Sequence, residues 1–200
     1  MKSFWQLIKT SILTSSVFTI NYSAIAQNTA ITQPQPPKEL ERLEYFQGTW
    51  RCQQPAAPTS ANSIFIWNVR RGLNDFWYVG KAQETRAPNN AKPVSSQEFI
   101  GYNGASKKLI RSTIVGDGNS YNMTATDWKD GKLIWEGILF RMGTSTPLRQ
   151  EIIRNSQNKF TATYFIPDRE NKWKPAVSET CNRLKSSYSA RQRFKYLSTS

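Results

Sequence analysis

Two short stretches, GTWRC at residues 48–52 and ETCNR at residues 179–183, decide the fold. They contain Cys52 and Cys181, the only two cysteines of the sequence. The residue numbers of Trp50 and Arg183 add up to the same total as those of the two cysteines. Opposed residues of an antiparallel ladder keep a constant sum, and residues two apart on one strand share a face. A single register between these stretches therefore predicts both a Trp50–Arg183 pair and a Cys52–Cys181 disulfide.

The sequence between these stretches has turn signals at intervals of roughly ten residues, as in all-β domains. Asn103-Gly104 and Asp130-Gly131 are dipeptides that two-residue hairpins favour, because both positions need a positive φ. The segments between the turns are rich in β-branched and aromatic residues. We therefore expect an all-β fold, a single antiparallel up-and-down barrel of about ten strands whose first and last strands meet. Residues 37–43 alone have a helical pattern, which predicts a short N-terminal helix.

The N-terminal segment has the features of a signal peptide, predicted here to span residues 1–26. Lys2 and Lys9 precede and flank a mostly apolar stretch, which Ala24-Ile25-Ala26 follows as a small-residue cleavage pattern. We expect cleavage between Ala26 and Gln27 and a secreted or periplasmic protein. Export agrees with a disulfide, because disulfides persist in oxidising compartments.

The mature chain divides by composition into three parts. Residues 27–38 are rich in Gln and Pro and predict an extended linker, and residues 39–185 predict one barrel domain. Residues 186–200 form a basic tail. The net charge of +13 falls to +11 when the two signal-peptide lysines are removed. In an exported protein such a tail favours an anionic envelope surface over nucleic acid, and a tail that is only solvated is the alternative.

A family resemblance rests on a Gly-x-Trp motif in the first strand and an Arg near the end of the last strand. Gly48, Trp50 and Arg183 make the sequence resemble the lipocalins and the wider calycin superfamily. The segment Gly101-Tyr102-Asn103 resembles an element of small exported bacterial lipocalin-like domains of unknown function. The resemblance implies a barrel in which the indole of Trp50 seals one end and the guanidinium of Arg183 lies across it. About ten strands suit fatty-acid-binding-type and nitrobindin-like barrels better than true lipocalins.

The chain contains no histidine, which excludes several kinds of site. Haem binding through a His ligand, Ser-His-Asp and Cys-His catalysis and the usual zinc sites are unavailable. We predict no cofactor, no metal and no catalytic residue. Two carboxylates remain of interest. Glu136 is either a buried acid or, as we favour, a solvated side chain, whereas Glu179 shares the strand face of Cys181 and should lie in the barrel interior or at its mouth in a structural ion pair.

Several predicted strands are apolar on both faces, for example at Ile64, Phe65, Ile66 and Trp67. A one-sided core does not need this much apolar surface, so a ligand cavity is one explanation and a filled core with a few exposed rings is the other. We expect an exported barrel that binds a small apolar or amphipathic ligand, with an anionic ligand as one option. The alternatives are a histidine-free isomerase or cyclase on the same fold and a filled-barrel envelope interaction protein. The candidate pocket residues are Trp67, Trp77, Tyr102, Trp135, Glu136 and Glu179.

Overall fold

The computed structural model describes residues 34–55, 62–87 and 91–185. The predicted signal peptide, residues 27–33 of the predicted linker and the predicted tail at 186–200 lie outside the described residues. A 3₁₀ helix, Lys38–Phe46, comes first. It begins after Pro37, as the sequence predicts, and continues three residues beyond the predicted end. No helix in the described part of the chain is long and apolar enough to span a membrane.

The described residues after the helix form ten antiparallel strands in one closed barrel, so the predicted fold class is confirmed. Each strand pairs with the next one along the chain, and the first pairs with the last. The strands are β1 (Gly48–Gln54), β2 (Ser63–Gly72), β3 (Trp77–Arg86), β4 (Ser95–Asn103), β5 (Lys108–Val115), β6 (Ser120–Ala125), β7 (Lys132–Arg141), β8 (Thr144–Ser156), β9 (Lys159–Pro167) and β10 (Trp173–Arg183).

The predicted hairpin turns differ in one case from the expected geometry. Asp130-Gly131 forms the expected two-residue turn, with positive φ at both positions, between Lys129 and Lys132. Asn103-Gly104 instead begins a four-residue connection to β5. The side-chain oxygen of Asn103 accepts hydrogen bonds from two backbone N–H groups in this turn. The Asn side chain therefore stabilises a longer turn, as Asn commonly does.

The junction between β1 and β10 has the register that the shared sum predicts. Trp50 lies opposite Arg183 and Cys52 lies opposite Cys181. The two cysteines, which are 129 residues apart in the sequence, form a disulfide. The barrel is thus closed by backbone hydrogen bonds and by a covalent bond at the same junction.

The helix closes one end of the barrel. Leu40, Leu43 and Phe46 point into the barrel and are buried against its apolar core. The indole Nε1 of Trp50 donates a hydrogen bond of 2.8 Å to the carbonyl oxygen of Phe46. Phe160 packs edge-on against the Trp50 ring, with the ring centroids 4.9 Å apart. This end of the interior is therefore filled with apolar side chains.

Arg183 lies outside the apolar core and links the helix to the junction of β1 and β10. Its guanidinium lies over the Trp50 ring at 4.1 Å from the centroid, as the pairing of these residues predicts. It also donates hydrogen bonds to the carbonyl oxygens of Tyr45, at 2.6 Å, and Gln47. Gly48 has a φ of +123°, and a Cβ there would lie 2.8 Å from Nη1 of Arg183. Glycine at this position therefore makes room for the guanidinium.

Candidate functional site

A cavity of about 350 Å³ occupies the barrel interior toward the end where β1 leads into β2. Gln54 and Ser63, which end β1 and begin β2, contribute to its lining, as does Val115 at the end of β5. The walls are largely aromatic and aliphatic. The rings and branched side chains that face the cavity include Phe65, Trp67, Tyr121, Ile152, Phe160 and Tyr164.

A buried ion pair lies on the wall of the cavity. Nε of Arg111 on β5 is 2.6 Å from Oε2 of Glu98 on β4, and both side chains are less than a tenth exposed. The two strands are neighbours, and the alternation of side chains directs both residues inward. Burial by itself would lower the pKa of Arg111, but the charge and hydrogen bond of Glu98 together with Tyr121 and Tyr164 more than offset this effect, so the pKa is raised. Arg111 therefore stays protonated inside the barrel.

Polar side chains from four other positions complete the hydrogen bonds of this pair. Nη1 of Arg111 donates to Oε1 of Gln150 at 2.7 Å, and Nη2 lies 3.4 Å from the hydroxyl of Tyr121. The Glu98 carboxylate accepts hydrogen bonds from the indole N–H of Trp67 and from the hydroxyl of Thr113. Such a network compensates the loss of hydration that burial imposes on both charges.

The carboxylate of Glu98 has room because Gly80 lies opposite it on β3. A Cβ at Gly80 would come within 2.6 Å of Cγ of Glu98. Strand β3 therefore leaves space for the Glu98 carboxylate, because Gly80 has no side chain. This glycine allows a close approach rather than a special backbone angle.

Glu179 on β10 is a second buried carboxyl group that lines the cavity, and its residue is 8% exposed. Its interior position is as expected, but the expected structural ion pair is wrong: among the described residues Glu179 forms a hydrogen bond with the side chain of Gln54 and no ion pair, because the lining guanidinium of Arg111 pairs with Glu98. Burial raises its pKa to about 7, against the lowering effects of Arg111 and Gln54 and with a further raising effect of Glu98. This group therefore changes its protonation state near neutral pH, which is unusual for a glutamate.

Two tyrosines project into the same cavity beside these groups. Tyr164 lies two residues from Ala162, the partner of Glu179 on β9, and so shares its face of the barrel wall. Burial raises the pKa of Tyr164 well above its usual value, and the charge of Glu179 raises it further. Burial also raises the pKa of Tyr121, although Arg111 opposes this shift. Both hydroxyls therefore remain protonated and can donate or accept a hydrogen bond.

The charges of the lining are mostly negative. Glu98 and Arg111 compensate each other, whereas Glu84, Asp117 and Glu179 add three further carboxyl groups. The side chain of Glu84 accepts hydrogen bonds from the hydroxyl of Ser63 and from the backbone N–H of Val94. The lining is therefore acidic although the chain as a whole is strongly basic.

The predicted pocket residues are distributed over three environments. Trp67 and Glu179 line the cavity. Trp135 and Tyr102 lie in or against the apolar core but are not part of the lining. The two remaining candidates lie elsewhere on the barrel, and neither is part of the lining.

These remaining candidates are Trp77 and Glu136. The ring of Trp77 packs over Gly101 on the neighbouring strand, where a Cβ would come within 2.6 Å of the indole. The side chain of Glu136 is 58% exposed, and its Oε1 atom lies 3.5 Å from Nη1 of Arg149. The sequence left two options for Glu136, a buried acid or a solvated side chain, and the structure shows the solvated side chain.

Glu98, Arg111, Tyr121, Gln150 and Tyr164 contribute to the site but are absent from the predicted set. A signal for two of them exists in the hairpin of β4 and β5. Its register places Glu98 opposite Thr113 and Arg111 opposite Ile100, so a carboxylate and a guanidinium share one face. Two opposite charges on one face of neighbouring strands indicate a cross-strand pair, although they do not indicate on which side of the sheet the pair lies.

The described residues include no group of three or more His, Cys, Asp or Glu side chains that could hold a metal ion. Neither cysteine is a free thiol, because both are in the disulfide. The described lining of the cavity therefore offers the chemistry of carboxyl groups, hydroxyls, two amides, a guanidinium and aromatic faces.

The fold is similar to known structures, whereas the sequence matches no family model and no curated protein. Fifteen chains of solved structures match. One of them is the crystal structure of Rv2717c from M. tuberculosis, which is 11% identical in sequence, with a TM-score of 0.56. The match covers 76% of this chain and 100% of that chain. At this identity the likeness concerns the fold: a closed, ten-stranded antiparallel β-barrel.

Proposed function

We propose that this protein is a lipocalin-like binding protein that takes one small amphipathic molecule into its barrel. The observation that carries the proposal is the interior cavity, whose aromatic and aliphatic walls contain a few convergent, buried polar groups. Ligand sites of proteins commonly combine such walls with few polar groups and have volumes of about 300–1,000 Å³. A cavity near the lower limit suits a small molecule better than a long lipid chain.

The position of the polar groups supports a particular orientation of the ligand. The apolar part would lie against Phe65, Ile152 and Phe160, and the polar part would reach Glu179 and Tyr164. Arg111 already has protein partners for its Nε, Nη1 and Nη2 atoms. The acidic lining gives no support to the anionic option, because a ligand carboxylate would face Glu179 and no described residue of the lining supplies a free cation. We therefore propose a neutral or cationic polar group.

Fluorescence quenching can test ligand entry, because Trp67 lines the cavity. We expect a neutral aromatic dye such as N-phenylnaphthylamine to quench tryptophan emission saturably. Most of the quenching should disappear in Trp67→Phe. In the matched control Trp173→Phe it should persist, since Trp173 is 38% exposed and absent from the lining. Equal quenching in both variants would contradict binding in the cavity.

The basic tail offers a second binding surface that must be separated from the barrel. We propose that residues 186–200 attach to an anionic envelope surface. Deletion of these residues should abolish binding to phosphatidylglycerol vesicles and leave quenching by the dye unchanged. Loss of dye binding in the folded, truncated protein would contradict the cavity proposal, and vesicle binding that survives would contradict the role of the tail.

An enzyme of the isomerase or cyclase kind is a second candidate, favoured by one observation. Glu179, with a pKa of about 7, and the hydroxyl of Tyr164 face the same cavity. A carboxyl group with a pKa near the working pH is suited to general acid–base catalysis. If the bound molecule is converted, Glu179→Gln should lower kcat by about a hundredfold or more and change KM little. An unchanged covalent structure and stereochemistry of a bound ligand after long incubation, checked by NMR, would exclude this candidate for that ligand.

A further inference from the structure

We infer that the cavity selects ligands that carry a protonated amine, whose ammonium group pairs with the carboxylate of Glu179 beside the aromatic wall. The inference rests on the proposed binding function and gives its ligand a chemical class. The described lining of the cavity carries more carboxyl groups than cationic groups. A buried carboxylate without an opposite charge is costly, and a cationic ligand removes that cost when it binds.

Glu179 is the buried group whose hydrogen-bond acceptor sites are mostly unused. Its residue is 8% exposed, it faces the cavity, and among the described residues its one hydrogen-bond partner is the side chain of Gln54. A carboxylate has about four sites that accept hydrogen bonds, so one amide leaves most of them open to a ligand. Glu179 lines the cavity, so a ligand inside the cavity can reach its carboxylate.

Arg111 is the one cation that the described residues contribute to the lining, and it does not neutralise Glu179. Its Nε binds Glu98 at 2.6 Å and its Nη1 binds Gln150 at 2.7 Å. The charge of Arg111 is thereby matched by Glu98. The sum of Glu98, Arg111 and an ionised Glu179 is one negative charge, which a monovalent ammonium group would cancel.

The surroundings of Glu179 also suit an ammonium group better than an alcohol. An ammonium group has three N–H donors, whereas an alcohol has one O–H donor. The carboxylate of Glu179, the amide oxygen of Gln54 and the hydroxyl of Tyr164 supply acceptors. The rings of Phe65 and Phe160 line the same cavity and can contact the apolar body of an aromatic amine.

Carboxylates outside the buried cluster favour the same sign of charge. Glu84 and Asp117 line the cavity near the ends of β3 and β5. They would attract a cation on its way in, while the net positive charge of the chain is screened over about 8–10 Å at physiological salt. The local field of the cavity and the net charge of the chain therefore have opposite signs.

The pH dependence of binding follows from the groups that face Glu179. These are Gln54 on β1, Glu98 on β4, Arg111 on β5, Tyr121 on β6 and Tyr164 on β9. An alkylamine keeps its proton up to about pH 10, whereas Glu179 ionises near pH 7. Amine affinity should therefore rise by about tenfold between about pH 6 and pH 8, as the carboxylate forms.

A matched series of ligands tests the inference on the full mature chain. Phenethylamine, phenethyl alcohol and phenylpropanoate share an aromatic body and differ in the polar group. At about pH 8 we expect calorimetry to show the amine binding at least about tenfold more tightly than the alcohol, and the carboxylate most weakly. Equal affinity of amine and alcohol would overturn the inference but leave the proposed binding function intact. Failure of all three to bind would overturn both.

A neutral variant locates the charge that the amine uses. Glu179→Gln should lower the affinity for phenethylamine by about tenfold or more, change that for phenethyl alcohol by less than about threefold, and remove the pH dependence. The matched control is Glu170→Gln, because the side chain of Glu170 is 71% exposed and outside the lining. It should change neither affinity. An amine affinity that survives in Glu179→Gln would overturn the inference, and the wild-type ligand series decides the question if that variant does not fold.

Discussion

Glu98 and Arg111 depend on each other because both are removed from water. Their side chains are 4% and 9% exposed, and the pair is held in place by hydrogen bonds from Trp67 and Thr113 to Glu98 and from Arg111 to Gln150. Removing one partner of a buried pair leaves a charge that neither water nor protein compensates, whereas removing both charges does not. The interior therefore tolerates these two charges as a pair but not singly.

We predict that Arg111→Met lowers the free energy of unfolding by about 3–5 kcal/mol, because it leaves the Glu98 carboxylate buried without a cation. Adding Glu98→Gln to this variant should restore part of the loss, since glutamine carries no charge and still accepts a hydrogen bond from Trp67. Urea unfolding measures both effects. Lys172→Met, which breaks an exposed pair with Glu170, serves as a control and should cost less than about 1 kcal/mol. A double variant less stable than Arg111→Met would contradict the account.

A second residue-scale prediction concerns pH and stability. Folding raises the pKa of Glu179 from 4.5 to about 7, so between these values the folded protein holds a proton that the unfolded chain releases. The stability that this proton contributes is fully present below about pH 4.5 and is lost as the pH rises to about 7. Without ligand, the unfolding free energy of wild type should therefore fall relative to Glu179→Gln across this range.

Urea unfolding of both proteins at several pH values measures this difference. Glu170→Gln provides the reference for an exposed carboxylate and should follow the wild-type curve closely. Parallel curves for wild type and Glu179→Gln would show that folding does not shift the titration of Glu179. Such a result would also remove the expected pH dependence of amine binding.

At the scale of elements, the junction of β1 and β10 decides whether the sheet is open or closed. Backbone pairing from Trp50 to Gln53 joins the two strands, the disulfide fixes their register, and Arg183 links β10 to the helix. A closed sheet has no free edge, which removes a site of aggregation. The cavity depends on this junction because Cys52 and Glu179 belong to its wall.

We predict that the double variant Cys52→Ser, Cys181→Ser lowers the free energy of unfolding by about 2–5 kcal/mol. The chain-entropy model gives about 5 kcal/mol for the closed loop of 129 residues, which is an upper estimate. Denaturant unfolding with and without a reducing agent measures the effect. The reduced wild type should match the variant, whereas equal stability of variant and oxidised wild type would contradict the role of the disulfide.

The sequence specifies this junction and most turns, but not which faces of the strands point inward. The cysteine spacing and the Trp50–Arg183 pair fix one register without any other information. On β5, in contrast, Leu109 faces the core while Ile110 and Ile114 face outward. Because both faces carry apolar residues, alternation does not identify the inner one, and Arg111 could not be placed inside. The inward position of Glu98 further depends on Gly80, which belongs to a third strand.

At the scale of the whole molecule, the sign of the charge differs between the interior and the rest of the chain. The mature chain is expected to carry a net charge of +11, whereas the cavity lining has four carboxyl groups and one guanidinium. Long-range electrostatics can thus favour an anionic surface while the interior favours a cationic ligand. An exported protein with both properties could stay near an envelope and still bind a small cation in its barrel.

The proposal of export makes a prediction about the mature chain. We expect the exported protein to begin at Gln27, because Ala24-Ile25-Ala26 is a signal-peptidase pattern. Intact-mass measurement on protein from the culture medium or periplasm determines the start. A mass that still includes Lys2 and Lys9 would contradict cleavage, and protein found only inside the cell would contradict export.

A ligand that enters the barrel needs the space of the cavity, so a side chain that fills the cavity should block binding. Ala82 on β3 lines the cavity, and its neighbour Lys81 is exposed and absent from the lining. Titration with N-phenylnaphthylamine should show that Ala82→Phe lowers the affinity at least about tenfold, with a free energy of unfolding within about 1 kcal/mol of wild type. Lys81→Phe should bind the dye as wild type does. Undiminished binding in a folded Ala82→Phe protein would contradict the account.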